Sequence, residues 1–344
     1  MSQGRISSRF PPSQDDLPGQ SFEEYKKSGG VEGSMKTNRG ASVFLIAAMT
    51  ATGAGIASSA MAQTENAAGQ AQVIVTVNAD KSQRPAPLQP GDITVKVKGR
   101  PADVVGLAAI HDASAPTQLV FMFDDSARSY LALQIPDLKK FIEALPASTA
   151  VAVAYMQNGR AVMAQKMTTD HKLAADSMRL TNGIPGITGS PYFCLSDLAK
   201  HWPSREKARR VVFMVTNGED PYYRSRDMQD PYLASAIQDS QKAKLLVYSI
   251  YFRNTTGGGA GSFSTLIGQS YLQRLANETG GQFYSMAMSS PVSFEPFLKQ
   301  FKQSLDRQYE LTFAVGNTGW QSVQVQSKVK ELKLTAAKAI YVEK

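Results

Sequence analysis

The chain has 344 residues, 42% hydrophobic and 19% charged, with a formal charge of +8. That is length for roughly two to three domains and enough apolar content for a core, so wholesale disorder is excluded. A single cysteine, Cys194, excludes an internal disulfide framework and a multi-cysteine zinc site, and His111, His171 and His201 lack the spacing of a metal site.

In chain order, residues 1–34 are polar and Ser/Gly/Pro-rich, which reads as disorder or a mis-assigned start upstream of Met35. Residues 35–62 read as a signal peptide: Lys36 and Arg39, an apolar stretch from Val43, then Ala60-Met61-Ala62 as a cleavage site. The alternative is a membrane anchor over 43–62. Residues 1–62 hold six Lys/Arg and five Asp/Glu, so the remaining chain keeps a net +7. An exported protein meets little nucleic acid, so that charge points to an anionic protein or envelope surface.

Residues 72–116 form a small β unit, with Val73–Val77 a β-branched strand and Ile93–Lys98 an alternating one. From 117 to 306, strand and helix signals alternate. Leu119–Phe123, Val211–Val215 and Leu245–Tyr251 are continuous apolar runs, the pattern of strands buried on both faces. Val151–Met156 is a further strand, joined through Asn158-Gly159 to a hairpin partner, Ala161–Ala164, at an antiparallel edge. Helices are predicted over Leu131–Leu145, Leu173–Leu180, Phe193–Trp202, Tyr232–Ala243, Tyr271–Glu278 and Phe294–Leu305, with a short strand at Phe283-Tyr284. Residues 307–344 alternate again, a β appendage expected to pair with the N-terminal β unit. The fold class is α/β: a mostly parallel, Rossmann-like sheet with helices on both faces, flanked by small N- and C-terminal β segments.

Ligands of such sheets bind outside the carboxyl ends of the strands. Three segments converge there: Asp124-Asp125-Ser126-Ala127-Arg128-Ser129, Thr188-Gly189-Ser190 and Thr216-Asn217-Gly218-Glu219-Asp220. This trio resembles the metal-ion-dependent adhesion site of the von Willebrand factor type A domain. That family carries Asp-x-Ser-x-Ser after its first strand, a Thr in a later loop and an Asp in a Thr-Asp-Gly-like turn. The phrase Leu88–Val95 and the segment Arg307–Leu311 look like a bacterial exported subgroup in which β segments frame the A domain. The resemblance covers most of the chain from Gln72.

The matched site is degenerate. Asp124 and Ser126 fit, Arg128 stands in place of the second Ser, Ser190 in place of Thr, and Asn217 in place of the second carboxylate. Carboxylate count tunes affinity for magnesium and calcium, and Asp125, Glu219 and Asp220 are nearby but unplaced. The resemblance therefore implies either a weakened site for Mg2+ or another divalent cation, or a vestigial one in which Arg128 pairs with Asp124.

Other chemistry is less supported. A phosphatase-type nucleophile needs a second carboxylate where Ser126 stands. Ser190 lacks a G-x-S-x-G frame, and Gly257–Gly261 lacks the Lys-Ser/Thr pair of a phosphate loop. Cys194 reads as a packed helix residue. The basic run Arg205–Arg210 reads as a solvated helix end. Tyr222, Tyr223, Arg224 and Arg226 form a loop of interface-favoured residue types. The expected function is an exported, non-catalytic protein-binding module that uses these loops. Family partners often complete the metal's coordination with an acidic side chain, and here that carboxylate would meet Arg128. The alternatives are an envelope enzyme of unrecognised chemistry and a purely structural envelope scaffold.

Overall fold

Three of the apolar runs are long enough for a strand, too short for a helix of their own, and lack a polar face. They can be buried only between two layers of helix. The computed structural model describes residues 69–79, 87–110, 115–127, 129–223, 229–253, 262–285 and 291–343. The expected signal peptide and its alternative anchor lie outside the described residues. So do Arg128, Arg224, Arg226, His111 and the Gly257–Gly261 loop. No helix among the described residues is long and apolar enough to cross a membrane.

The chain opens with β1 (Gly69–Ala79), β2 (Ile93–Val97), β3 (Arg100–Ala102) and β4 (Val104–Ile110). The α/β part follows: β5 (Thr117–Asp124), α1 (Ile135–Glu143), β6 (Thr149–Gln157), β7 (Arg160–Thr168), α2 (His171–Asp176), α3 (Pro191–Lys200), β8 (Arg209–Thr216), α4 (Pro231–Lys242), β9 (Leu245–Tyr251), α5 (Ser262–Thr279), β10 (Phe283–Tyr284) and α6 (Glu295–Leu305). Four strands close the chain: β11 (Gln308–Val315), β12 (Gly319–Ser327), β13 (Leu332–Ala336) and β14 (Ala339–Val342).

The central sheet has the order β10-β9-β8-β5-β6-β7, parallel throughout except for β7 at its edge. With β5 as the first strand, that is the doubly wound order 3-2-1-4-5-6, whose direction reverses between β5 and β8. Every residue of β5 and β9 is buried. Period-two alternation splits their side chains between two cores. Leu119, Phe121, Phe213 and Tyr248 face α1, α2 and α6. Val120, Met122, Val212 and Val247 face α3, α4 and α5.

The β6–β7 hairpin turns at Asn158 and Gly159, with φ of 48° and 73°. Two positive φ values are what a two-residue hairpin turn requires. β7 is longer than the predicted Ala161–Ala164 because its pairing with β6 runs on to Thr168. The helix predicted at Leu131–Leu145 begins at Ile135, after a 3-10 segment at Ser129–Gln134. Likewise, the helix predicted at Leu173–Leu180 stops at Asp176. Arg209 is no part of a solvated helix end. It begins β8, is 7% exposed, and donates to Thr117 Oγ1, the Leu305 carbonyl and Gln308 Oε1.

The flanking strands interleave. β1 lies between β11 and β13, and β4 pairs with β11, giving the antiparallel sheet β13-β1-β11-β4. A second antiparallel sheet has the order β14-β12-β2-β3. Val73, Val75, Ile93, Val95, Leu311, Phe313 and Val323 fill one shared core between these two sheets. The N- and C-terminal β segments are therefore one two-sheet unit.

Candidate functional site

The site sits at the reversal point of the central sheet. β5 ends at Asp124, whose side chain is buried because the chain turns immediately into a tight loop, where the Ala127 N–H donates to the Asp124 carbonyl at 3.0 Å. The Asp124 carboxylate collects hydroxyls from three segments. Ser126 donates to Oδ1 at 2.6 Å from Oγ and at 3.0 Å from its backbone N–H. Thr188 Oγ1 donates to the same oxygen, and Thr216 Oγ1 donates to Oδ2 at 2.9 Å. Thr188 and Ser126 hydroxyl oxygens are 3.4 Å apart.

The neighbouring Asp125 does different work. Its side chain is fully buried and takes a two-pronged ion pair from Arg179, 2.8 Å on each oxygen. Gln157 Nε2 at 2.5 Å and Asn182 N and Nδ2 at 3.0 and 2.6 Å add to it. Burial alone would raise its pKa; the hydrogen bonds from Arg179, Gln157 and Asn182 outweigh burial and hold the carboxyl below its ordinary value. Arg179 also stacks 3.8 Å from the centre of the Tyr155 ring, and the Tyr155 hydroxyl bonds both the Arg179 carbonyl and its N–H. These contacts end α2 early and carry residues 177–190 over to the carboxyl ends of the strands.

Ser190 stands apart from Asp124. It is the N-cap of α3, accepting from the Tyr192 N–H at 3.2 Å, and its hydroxyl donates to Asp220 Oδ2 at 2.5 Å. The hydroxyl of this loop that reaches Asp124 is that of Thr188, two residues earlier. Ser190-Pro191 is a cap followed by proline at the first helical position. That signal was present in the sequence and reserves Ser190 for the helix. Asn217 offers its side-chain oxygen to the Glu219 N–H at 3.1 Å. Burial raises the Glu219 pKa, partly offset by a hydrogen bond from Ser264 and by Arg253, while Asp124 adds to the rise. Asp220 Oδ1 accepts from the Tyr222 N–H at 2.8 Å. Tyr222 is 62% exposed, Tyr223 is half-buried, and Arg128, Arg224 and Arg226 lie outside the described residues.

The Asp125 carboxylate, read from sequence as a partner contact, is instead a brace with no solvent access. Asp230, which the sequence reading missed, is also fully buried. It caps α4 through Oδ1, accepting from Tyr232 N and Leu233 N at 2.7 and 3.1 Å, while Oδ2 has no hydrogen-bond partner among the described residues. Burial pushes its pKa up against those two bonds, and Asp220 pushes it further. The Cys194 thiol is buried on α3, and burial raises its pKa far above the thiol range. That suits packing and not nucleophilic attack.

Asp124, Ser126 and Thr188 supply hard oxygen ligands, the right kind for magnesium or calcium, but with one carboxylate among them. The fit is in ligand type and is poor in charge. Leu133, Leu180, Ile184, Tyr222, Leu266 and Val292, each more than half exposed, sit on segments at or leaving the carboxyl ends of the central sheet.

No family model matches the chain, and no curated protein matches it. Among solved structures, it is similar to an aerotolerance-related membrane protein from Bacteroides fragilis, at 12% identity over 55% of this chain and 98% of that one, TM-score 0.41. It is similar to the conserved hypothetical protein BatB from Bacteroides thetaiotaomicron, at 11% identity over 55% and 97%, TM-score 0.39. The human COPII-coat protein Sec24c matches at 12% identity over 67% of this chain and 44% of that one, TM-score 0.41.

Proposed function

We propose that this chain is an exported, non-catalytic protein-binding module of von Willebrand factor A type whose adhesion site has lost most of its metal-binding charge. The single observation that carries the reading is the surface at the carboxyl ends of the sheet. There, six exposed apolar side chains lie on segments that leave the carboxyl ends of the strands, beyond an Asp124 carboxylate already satisfied by the hydroxyls of Ser126, Thr188 and Thr216. Exposed apolar groups mark an interaction site where they join into one patch. A buried polar centre with its bonds made presents a fixed platform without needing a cofactor to organise it. Export rests on the signal-like sequence of residues 35–62.

Asp124, Ser126 and Thr188 would hold a divalent cation if one binds, and it would supply a Lewis-acidic anchor for a partner's carboxylate. In its absence Arg128 offers a charge for the same partner group. Calorimetry of the full chain with magnesium, manganese and calcium is expected to show nothing tighter than about millimolar, given one carboxylate. Micromolar binding abolished by Asp124→Ala would restore a working metal site.

The binding role is tested by capture from envelope extract, with and without chelator. A partner retained by the wild type and by Trp320→Ala, but lost from Ile184→Asp and Tyr222→Ala, supports the face. Equal capture by all four, or none by any, leaves the scaffold reading in its place.

A further inference from the structure

Away from the loop face, a cleft of about 260 Å³ opens between α5, the edge strand β10 and the β1–β13 pair of the flanking sheet. Its lining carries amides, hydroxyls and the rings of Tyr248 and Phe283, and none of the lining residues is charged. Gln273 and Asn277 stand four residues apart on α5, hence on one helix face, and both are exposed. Neither amide has a hydrogen-bond partner among the described residues.

The opposite wall is already fixed. Asn78 Nδ2 donates to Thr335 Oγ1 at 2.7 Å, which leaves the amide oxygen of Asn78 as an acceptor. At the back, Gln308 Nε2 ties Thr76 Oγ1 and the Tyr248 hydroxyl at 3.0 and 2.9 Å. Gln282 takes the Ser304 hydroxyl on its oxygen at 3.1 Å, so its amide N–H groups remain as donors. The floor at Gly281 has no room for a side chain, since a Cβ there would lie 2.0 Å from the Val247 carbonyl oxygen.

We infer that this cleft binds a neutral polyhydroxylated ligand, a single sugar ring. Each sugar hydroxyl both donates and accepts, and the walls offer side-chain amides that do the same. An ionic ligand would be desolvated here without a counter-charge, and an apolar one would strand the amides. The volume falls just below the range of about 300–1,000 Å³ typical of drug-sized ligands, which suits one ring. Phe283 supplies an apolar surface for the ring's C–H face.

Saturation-transfer NMR of the full chain with glucose, galactose, mannose and N-acetylglucosamine, each at millimolar concentration, tests this. At least one is expected to give transfer, weakened about tenfold or more in Gln273→Ala/Asn277→Ala and unchanged in Tyr222→Ala at the loop face. Alanine favours the helix at both exposed positions, and near-ultraviolet circular dichroism checks the fold. Asn277→Lys, which fills the cleft without shortening the side chain, is expected to give the same loss. The inference is overturned if no neutral sugar gives transfer, if trialanine or gluconate displaces the sugar signal, or if the double variant keeps it.

Discussion

Five hydrogen bonds hold the Asp125 carboxylate, and two of them come from one guanidinium that is itself 40% exposed on its side chain. Removing Arg179 leaves the acid buried with only Gln157 and Asn182 to satisfy it. Arg179→Ala is therefore expected to cost about 2–3 kcal/mol in a denaturant melt, and Arg179→Lys to recover only part, since an ammonium cannot reproduce the two-pronged bond. The same group sets an acid limit. Its folded pKa lies below the ordinary 3.8, so its contribution to stability is complete above that value and is lost as pH falls below it toward the depressed folded pKa. Melts between pH 5 and pH 2 should show this loss in the wild type, and a shallower slope in Asp125→Asn. Asp230 has the opposite sign. Its folded pKa is raised, the native state holds the proton longer, and stability falls as pH rises from the ordinary 3.8 through the folded value. Asparagine keeps the cap without the buried charge, so Asp230→Asn should match or exceed wild-type stability at pH 7, with the difference vanishing below that window. Asp230→Ala loses the cap and should cost about 1 kcal/mol. A wild type more stable than Asp230→Asn at pH 7 would contradict this sign.

At the level of elements, the loop after β8 is held by backbone contact with α5. A Cβ on Gly268 would stand 2.3 Å from the Asn217 carbonyl oxygen, and one on Gly218, whose φ is +71°, would stand 2.5 Å from the Gly268 carbonyl oxygen. Two glycines thus let a helix touch the turn that also carries Thr216, one of the three hydroxyl donors to Asp124. Gly268→Ala gains up to about 1 kcal/mol of helix propensity, but it must push the turn away, at about 1–3 kcal/mol. The expected result is a lower melting midpoint together with faster amide exchange at residues 216–219. Unchanged exchange there would separate α5 from the site. This contact also shows where sequence reading stops. The strands β5, β8 and β9 were legible because burial on both faces forces an unbroken apolar run. The first turns of α5 were not, because Ser262–Gly268 offers only a short apolar spacing of Phe263, Leu266 and Ile267 among serines, and its contact with the turn runs through glycine, which leaves no pattern. The path of residues 177–190 was equally hidden, since Asp125 and Tyr155, more than twenty residues away, direct it. Thr188 was missed for a more local reason: Ser190 matched the family's position by type, while its neighbour Pro191 marked it as a cap.

At the scale of the molecule, the two ends of the described chain depend on each other. β1 is flanked by β11 and β13, so its Val75 and Thr76 pair with residues from both sides. The α/β core joins this unit through polar ties as well as packing. Gln308, on β11, bonds Tyr248 of β9 and Thr76 of β1, and Arg209 of β8 bonds Gln308 in turn. Unfolding either part would strand these buried groups, so a single cooperative transition is expected from the full chain when near- and far-ultraviolet circular dichroism are followed together. Ending the chain at Lys330 tests the dependence. That deletion removes β13 and β14, uncovers the edge of β1 and takes Leu332, Leu334 and Ile340 out of the shared core. Losing three such apolar side chains costs on the order of 5 kcal/mol, comparable to the whole stability of many domains. The freed edge of β1, rich in Val and Ile, is then a template for pairing between chains. The shortened chain should melt far below the full one and sediment as aggregates at micromolar concentration. A monomer with an unshifted midpoint would show that the C-terminal strands only decorate a unit that is complete without them.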